Sequence, residues 1–199
     1  MNVPSSASCR TALFFGSFNP IHYGHIGIAR YLLAHDFCDE LWFVISPCNP
    51  FKLDQKLLPE QQRLELVQQA MVHDQRIKAC DVEFTLPRPS YTVDTLKLLH
   101  ARFPSRSFSL VMGEDNLINF HRWKEYEWIQ AHVPLLVYPR SGEISIPDAY
   151  PGVTFVNAPL FPYSSTEIRQ RVAHGEDISG IVPPEILSSV LQLYAHSFV

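Results

Sequence analysis

The feature that most constrains this chain is an alternation. Short apolar runs, Thr11 to Phe15 (TALFF), Leu41 to Ser46 (LWFVIS), SFSLVMG at 107–113, VPLLVY at 133–138 and GVTFVNA at 152–158, alternate with segments whose apolar residues recur at helical spacing. IGIARYLLAH, LELVQQAM, VDTLKLLHARF, STEIRQRVAHG and PEILSSVLQLYAH are of the second kind, and the fourth is stopped by Gly175. VEFTL at 82–86 reads as a further strand. Strands separated by helices predict an α/β fold, a Rossmann-like parallel sheet with helices on both faces. In such a sheet, ligands bind beyond the carboxyl ends of the strands, where the first strand and its neighbours part.

The 199 residues suffice for one substantial core, so the expectation is a single domain over 1–199, with 1–10 as an N-terminal extension. No run approaches the roughly 20 apolar residues that span a bilayer, and MNVPSSASCR lacks the apolar stretch of a secretory signal, so a cytoplasmic protein without membrane contact is expected. Cys9, Cys38, Cys48 and Cys80 show neither C-x-x-C pairing nor regular spacing and read as reduced thiols. The net charge of -4 gives no global attraction for nucleic acid, so any phosphate recognition must be local. The sequence leaves the oligomeric state open, a homo-oligomer included.

Two stretches carry chemistry. In FFGSFNPIHYGH (14–25), Gly16 closes the first strand without a side chain, which would let phosphates approach the backbone. The helix beginning near Tyr23 offers unpaired N–H groups and the positive end of its dipole, and His22 and His25 share its first turn. An H-x-x-H pair by itself equally describes capping histidines or half of a metal site. The strand before it, the helix after it and the lack of a neighbouring carboxylate or cysteine favour a phosphate cradle with two imidazole donors. In YSSTEIR (163–169), Ser164 and Glu167 have capping-box spacing. Ser165, Thr166 and Arg169 add hydroxyls and a guanidinium near the same helix start, as a second anion site would.

Together these motifs resemble the nucleotidyltransferase superfamily with H-x-G-H and S-S-T-x-I-R signatures. From about Thr11 to Tyr194 the chain looks more closely like the nicotinate-nucleotide adenylyltransferases, which join nicotinate mononucleotide to the AMP portion of ATP and release pyrophosphate. The resemblance implies catalytic roles for His22, His25, Lys52 and Arg169, and ATP contacts at Gly16, Ser17, Phe18, Gly24, Gly113, Asp115, Arg140, Ser164, Ser165 and Thr166. It implies that PSYTVDTL (89–96) meets the nicotinate ring and carboxylate through Tyr91 and Thr92, with Trp123 as the stacking aromatic. By analogy with phosphoryl transfer, Mg²⁺ carried mainly by the ATP phosphates is expected, and no protein metal ligand is assigned. Two departures bear on base preference: Asn19 stands where bacterial members usually have Asp, and Phe51 precedes Lys52 where a histidine is common. The alternatives are a nicotinamide-mononucleotide adenylyltransferase, a pantetheine-phosphate adenylyltransferase, or a nucleotide-binding regulatory module without catalysis.

Overall fold

The structure is a computed structural model that describes residues 8–47, 56–140, 150 and 152–195. Its six strands are β1 (Cys9–Gly16), β2 (Glu40–Ile45), β3 (Ile77–Cys80), β4 (Arg106–Gly113), β5 (Leu135–Tyr138) and β6 (Val153–Phe155). Every neighbouring pair is parallel, in the order β3-β2-β1-β4-β5-β6. The helices are α1 (Tyr23–Ala34), α2 (Glu60–Ala70), α3 (Thr92–Arg102), α4 (Glu114–Ile118), α5 (Tyr126–His132), α6 (Ser165–Ala173) and α7 (Pro184–Tyr194).

Both sheet faces are buried, which is why the central strands are continuously apolar instead of alternating. Successive residues of β1 point into different cores. Phe14 packs with Ile26, Leu66, Ile168 and Ile186 from α1, α2, α6 and α7, whereas Leu13 packs with Leu96, Leu117 and Ile129 from α3, α4 and α5. The parallel α/β sheet expected from the alternation is the sheet observed. α6 does end beside Gly175, which takes φ +70.

One strand was misplaced by periodicity. VEFTL does not extend the sheet: Val82–Thr85 is a 3₁₀ turn, and the third strand is the preceding IKAC. The turn closes through hydrogen bonds from the Phe84 N–H to the Asp81 carbonyl and from the Leu86 N–H to the Glu83 carbonyl. It carries Glu83 to a site where side-chain hydroxyls reach its carboxylate, a partnership the apolar pattern does not encode. Cys9, Cys38 and Cys80 are free thiols, and Cys48 lies outside the described residues.

The strand order runs outward one way from β1 through β2 to β3 and the other way through β4, β5 and β6. The reversal between β1 and β4 opens a crevice at their carboxyl ends. A cleft of about 670 Å³ lies there, lined by Phe14–Gly16 of β1 and Leu110–Gly113 of β4 among others.

Candidate active site

His22 is the N-cap of α1, with extended backbone angles, and its Nδ1 accepts the Gly24 N–H at 3.1 Å. That bond assigns the ring proton of the neutral imidazole to Nε2. Only 4% of the residue is exposed; burial, reinforced by the Arg140 charge, lowers its pKa to about 3. His22 is therefore a neutral donor at physiological pH. His25 lies beside it, ring centroids 3.8 Å apart and planes inclined by 30°.

Gly24 is required by this packing, because a Cβ there would stand 2.9 Å from the His22 ring. At Gly16 the geometry differs from the expectation. The space that a side chain would fill is taken by the Phe18 ring, 2.8 Å from an added Cβ, so the missing side chain makes room for a core aromatic before any phosphate. Phe18 is 2% exposed at φ +45, and its ring meets Phe43 and His25 edge-on at 5.0 and 5.1 Å.

The second motif closes onto the first. Ser164 caps α6 by accepting the Glu167 N–H at 3.1 Å, but Glu167 turns away to pair with Arg171 at 2.7 Å, so the capping box is half made. Ser165 Oγ donates to the Pro20 carbonyl at 2.8 Å, and Arg169 donates to the Asn19 carbonyl at 2.7 Å and to Thr166 Oγ1 at 3.1 Å. Two stretches about 145 residues apart in sequence are thus locked together by hydrogen bonds across one wall of the cleft.

The opposite wall is built from the starts of helices and the ends of strands. Tyr91 is the N-cap of α3 and Thr92 its first residue; Trp123 follows the 3₁₀ turn Phe120–Arg122, its ring 5.5 Å from Phe120. Arg140, past β5, approaches Asp115 of α4 at 3.4 Å and donates to the Tyr138 hydroxyl at 3.1 Å, with Gly113 beneath both. Gly16, Ser17, Phe18, His22, Gly24, His25, Tyr91, Thr92, Gly113, Asp115, Trp123, Arg140, Ser164, Ser165, Thr166 and Arg169 all line the same cleft. Lys52 lies outside the described residues.

Three buried polar residues organise the cleft in ways the sequence does not show: Asn19 stands out there only for base preference, and Arg63 and Glu83 do not stand out. Asn19 Oδ1 accepts the Tyr194 hydroxyl at 2.7 Å and the Leu58 N–H at 3.2 Å, joining the first motif to α7 and to the segment before α2. Arg63, 1% exposed, donates to the carbonyls of Ser17, Ser46, Leu58 and Pro47. Glu83 accepts from Ser90 and Thr95. Arg63 did leave a signal: it stands in helical register with Leu66, Val67 and Ala70, on the face that α2 buries.

Among the described residues, no group of three His, Cys, Asp or Glu side chains is placed to hold a metal ion. No described helix is long and apolar enough to cross a membrane.

Residues 13–171 match the family described as cytidylyltransferase-like. The chain belongs to that family. This cytidylyltransferase-like protein is 43% identical over 187 residues to a "probable nicotinate-nucleotide adenylyltransferase" of Bacteroides fragilis, covering 94% of this chain and 93% of the relative. It is likewise 43% identical over 183 residues to one of Cytophaga hutchinsonii, covering 92% and 95%. Its fold is similar to that of a Plasmodium falciparum nicotinic acid mononucleotide adenylyltransferase complexed with NaAD, with a TM-score of 0.78 and 22% identity over 94% of this chain and 97% of the other.

Proposed function

We propose that this protein is a nicotinate-nucleotide adenylyltransferase: it transfers AMP from ATP to nicotinate mononucleotide, giving deamido-NAD and pyrophosphate in NAD biosynthesis. The observation that carries the reading is the joining of the two donor-rich motifs, His22 and His25 with Ser165 and Arg169, through the Asn19–Pro20 backbone on one wall of the cleft. The names of relatives that match over nearly their whole length point the same way.

A phosphate oxygen of the mononucleotide attacks the α-phosphorus of ATP as the bond to pyrophosphate breaks. A phosphate monoester has its second pKa near ~6, so the nucleophile is largely dianionic at neutral pH and needs no general base. What the site supplies is alignment and charge stabilisation, because two anions are brought together and charge shifts toward the leaving group. His22 suits that work: with Nδ1 occupied by Gly24 and the ring neutral, it can only donate through Nε2. His25 stands beside it over the same phosphates. Arg169, anchored by the Asn19 carbonyl and Thr166, supplies a fixed positive charge for the departing pyrophosphate; the Ser164 and Thr166 hydroxyls, which accept within the protein, keep their protons to donate at the same helix start, while Ser165 holds that start against Pro20.

Gly113, Asp115 and Arg140 take the adenosine side, and Tyr91, Thr92 and Trp123 the pyridine side, where the tryptophan face stacks on the ring. Lys52 belongs to the same scheme as a phosphate ligand. Mg²⁺ enters with the ATP substrate. The donor set of the cleft matches phosphate oxygens, while Asp115 is engaged by Arg140 and Glu83 by hydroxyls, so phosphate oxygens and water would be the metal's ligands. When bound, the ion screens the triphosphate charge. We read the chain as one domain acting on small molecules in the cytoplasm.

The test is pyrophosphate release with Mg·ATP and, in parallel, nicotinate mononucleotide or nicotinamide mononucleotide. Release that favours the nicotinate acceptor is expected. A preference for nicotinamide mononucleotide would reassign the substrate, and release with neither would defeat the catalytic reading.

A further inference from the structure

Glu83 is a carboxylate in the wrong surroundings for a structural ion pair. It is 2% exposed, and its hydrogen-bond partners are side-chain hydroxyls: Ser90 Oγ donates to Oε2 at 2.7 Å and Thr95 Oγ1 donates to Oε1 at 2.8 Å. Burial raises its pKa overall, and the neighbouring hydroxyls oppose the rise, so what support its charge has comes from donors and not from a countercharge. Keeping such a group dry is costly, so its retention asks for a reason.

The reason lies in what the two hydroxyls belong to. Ser90 ends the connection from the 3₁₀ turn to α3, and Thr95 is in the first turn of α3. Ser46, Glu83, Ser90, Tyr91 and Thr92 all border the cleft. Residues 87–90 make no backbone hydrogen bond to other described residues, and Pro87 and Pro89 have no N–H to give. This segment is held by two side-chain tethers: Arg88 pairs with Glu60 at the exposed outer side, and Ser90 bonds to Glu83 at the inner side. The inner tether stands immediately before Tyr91 and Thr92.

We infer that Glu83 is a positioning residue for the acceptor subsite: by gathering the hydroxyls of Ser90 and Thr95 it fixes where Tyr91 and Thr92 meet the pyridine end of the mononucleotide. The inference rests on the nicotinate-nucleotide reading for the identity of that ligand. A carboxylate does this better than an amide, because both partners are donors, one to each oxygen, and the carboxylate alone accepts on both oxygens. On the other side of the cleft, Asn19 and Arg169 join the first motif to α7 and α6.

The test uses full-length Glu83→Gln, Ser90→Ala and Thr95→Val proteins, with steady-state kinetics in both substrates and amide hydrogen exchange without ligand. Losing one hydrogen bond to a charged group predicts a KM for nicotinate mononucleotide raised about tenfold, with the KM for ATP changed less than about twofold. Exchange should quicken at the Asp94 and Thr95 amides, which both donate to the Tyr91 carbonyl, and stay unchanged in α1 and α6. A parallel rise of both KM values, or unaltered KM values and exchange in folded variants, overturns the inference. If Glu83→Gln does not fold, the two hydroxyl variants carry the same readings. If the wild-type protein does not use nicotinate mononucleotide, the substrate assignment has failed, and exchange at Asp94 and Thr95 alone decides whether the clamp exists.

Discussion

The two ends of the sheet handle polar groups in opposite ways. At the amino ends of the strands, charges pair with countercharges in contact with water: Arg10 bridges Asp36 and Asp39 at 2.6 and 2.7 Å, and Glu40 takes Arg106 and Lys78 at 2.8 and 2.9 Å. At the carboxyl ends, Asn19, His22, Arg63 and Glu83 are nearly inaccessible, and their hydrogen bonds run to backbone groups and hydroxyls of the loops around the cleft. Exposed pairs gain little because water competes for both partners. Buried polar groups are expensive, and each one here determines the direction of a cleft-lining segment. Stability sensitivity should therefore concentrate at the buried hubs of the carboxyl end, beside the functional residues, and be small at the other end.

The largest effect is expected at Arg63. Its guanidinium collects the Ser17, Ser46, Pro47 and Leu58 carbonyls, so Arg63→Met strands several buried acceptors at once. A loss of about 3 kcal/mol or more is expected from the midpoint of urea unfolding at constant slope. A loss below about 1 kcal/mol would show that the loops hold themselves and would erase the contrast between the two ends.

His25→Ala separates function from stability within the carboxyl end. We expect kcat to fall on the order of 10²-fold, the scale for one well-placed donor to a developing anion, with circular dichroism unchanged. An unaltered kcat in a folded variant would remove His25 from the mechanism.

What was legible in the sequence follows the same divide. The sheet could be read because burial on both faces writes itself into continuous apolar runs, and the two motifs could be read as parts of one site because each sets donors at a helix start; the structure does bring His22, His25, Ser165 and Arg169 to one cleft. The polar hubs behind them were not legible. Asn19 and Glu83 act through partners 39, 175, 7 and 12 residues away, and no local spacing links those positions. VEFTL was misread for the same reason: a run of apolar residues interrupted by Glu and Thr fits a strand until the turn's hydrogen bonds and the hydroxyls around Glu83 are known. That Gly16 also makes room for Phe18, which folds back over it, is nowhere in the sequence.

His22 gives a pH signature that the amino end lacks. Its pKa falls from 6.5 in the unfolded chain to about 3 in the folded one, so between those values the unfolded state binds the extra proton. Its contribution is complete above about pH 6.5 and is lost as the pH falls toward about 3, with a slope approaching about 1.4 kcal/mol per pH unit. Replacing it, as in His22→Asn, should flatten the acid limb of melting temperature against pH. An identical limb would mean that His22 is not buried neutral.

The smallest effect is expected at Arg10. Although it makes shorter ion pairs than Arg169 makes hydrogen bonds, its side chain is 43% exposed and Asp36 is 88% exposed, so water replaces what Arg10→Ala removes. The melting temperature should move by less than about 2 °C, both KM values should stay as they are, and 0.5 M salt should erase the difference from wild type. A larger, salt-resistant loss would place a structural anchor at the amino end. The distinction between the two ends would then rest on function alone, since geometry as tight as Arg10's would be stabilising even where it faces solvent.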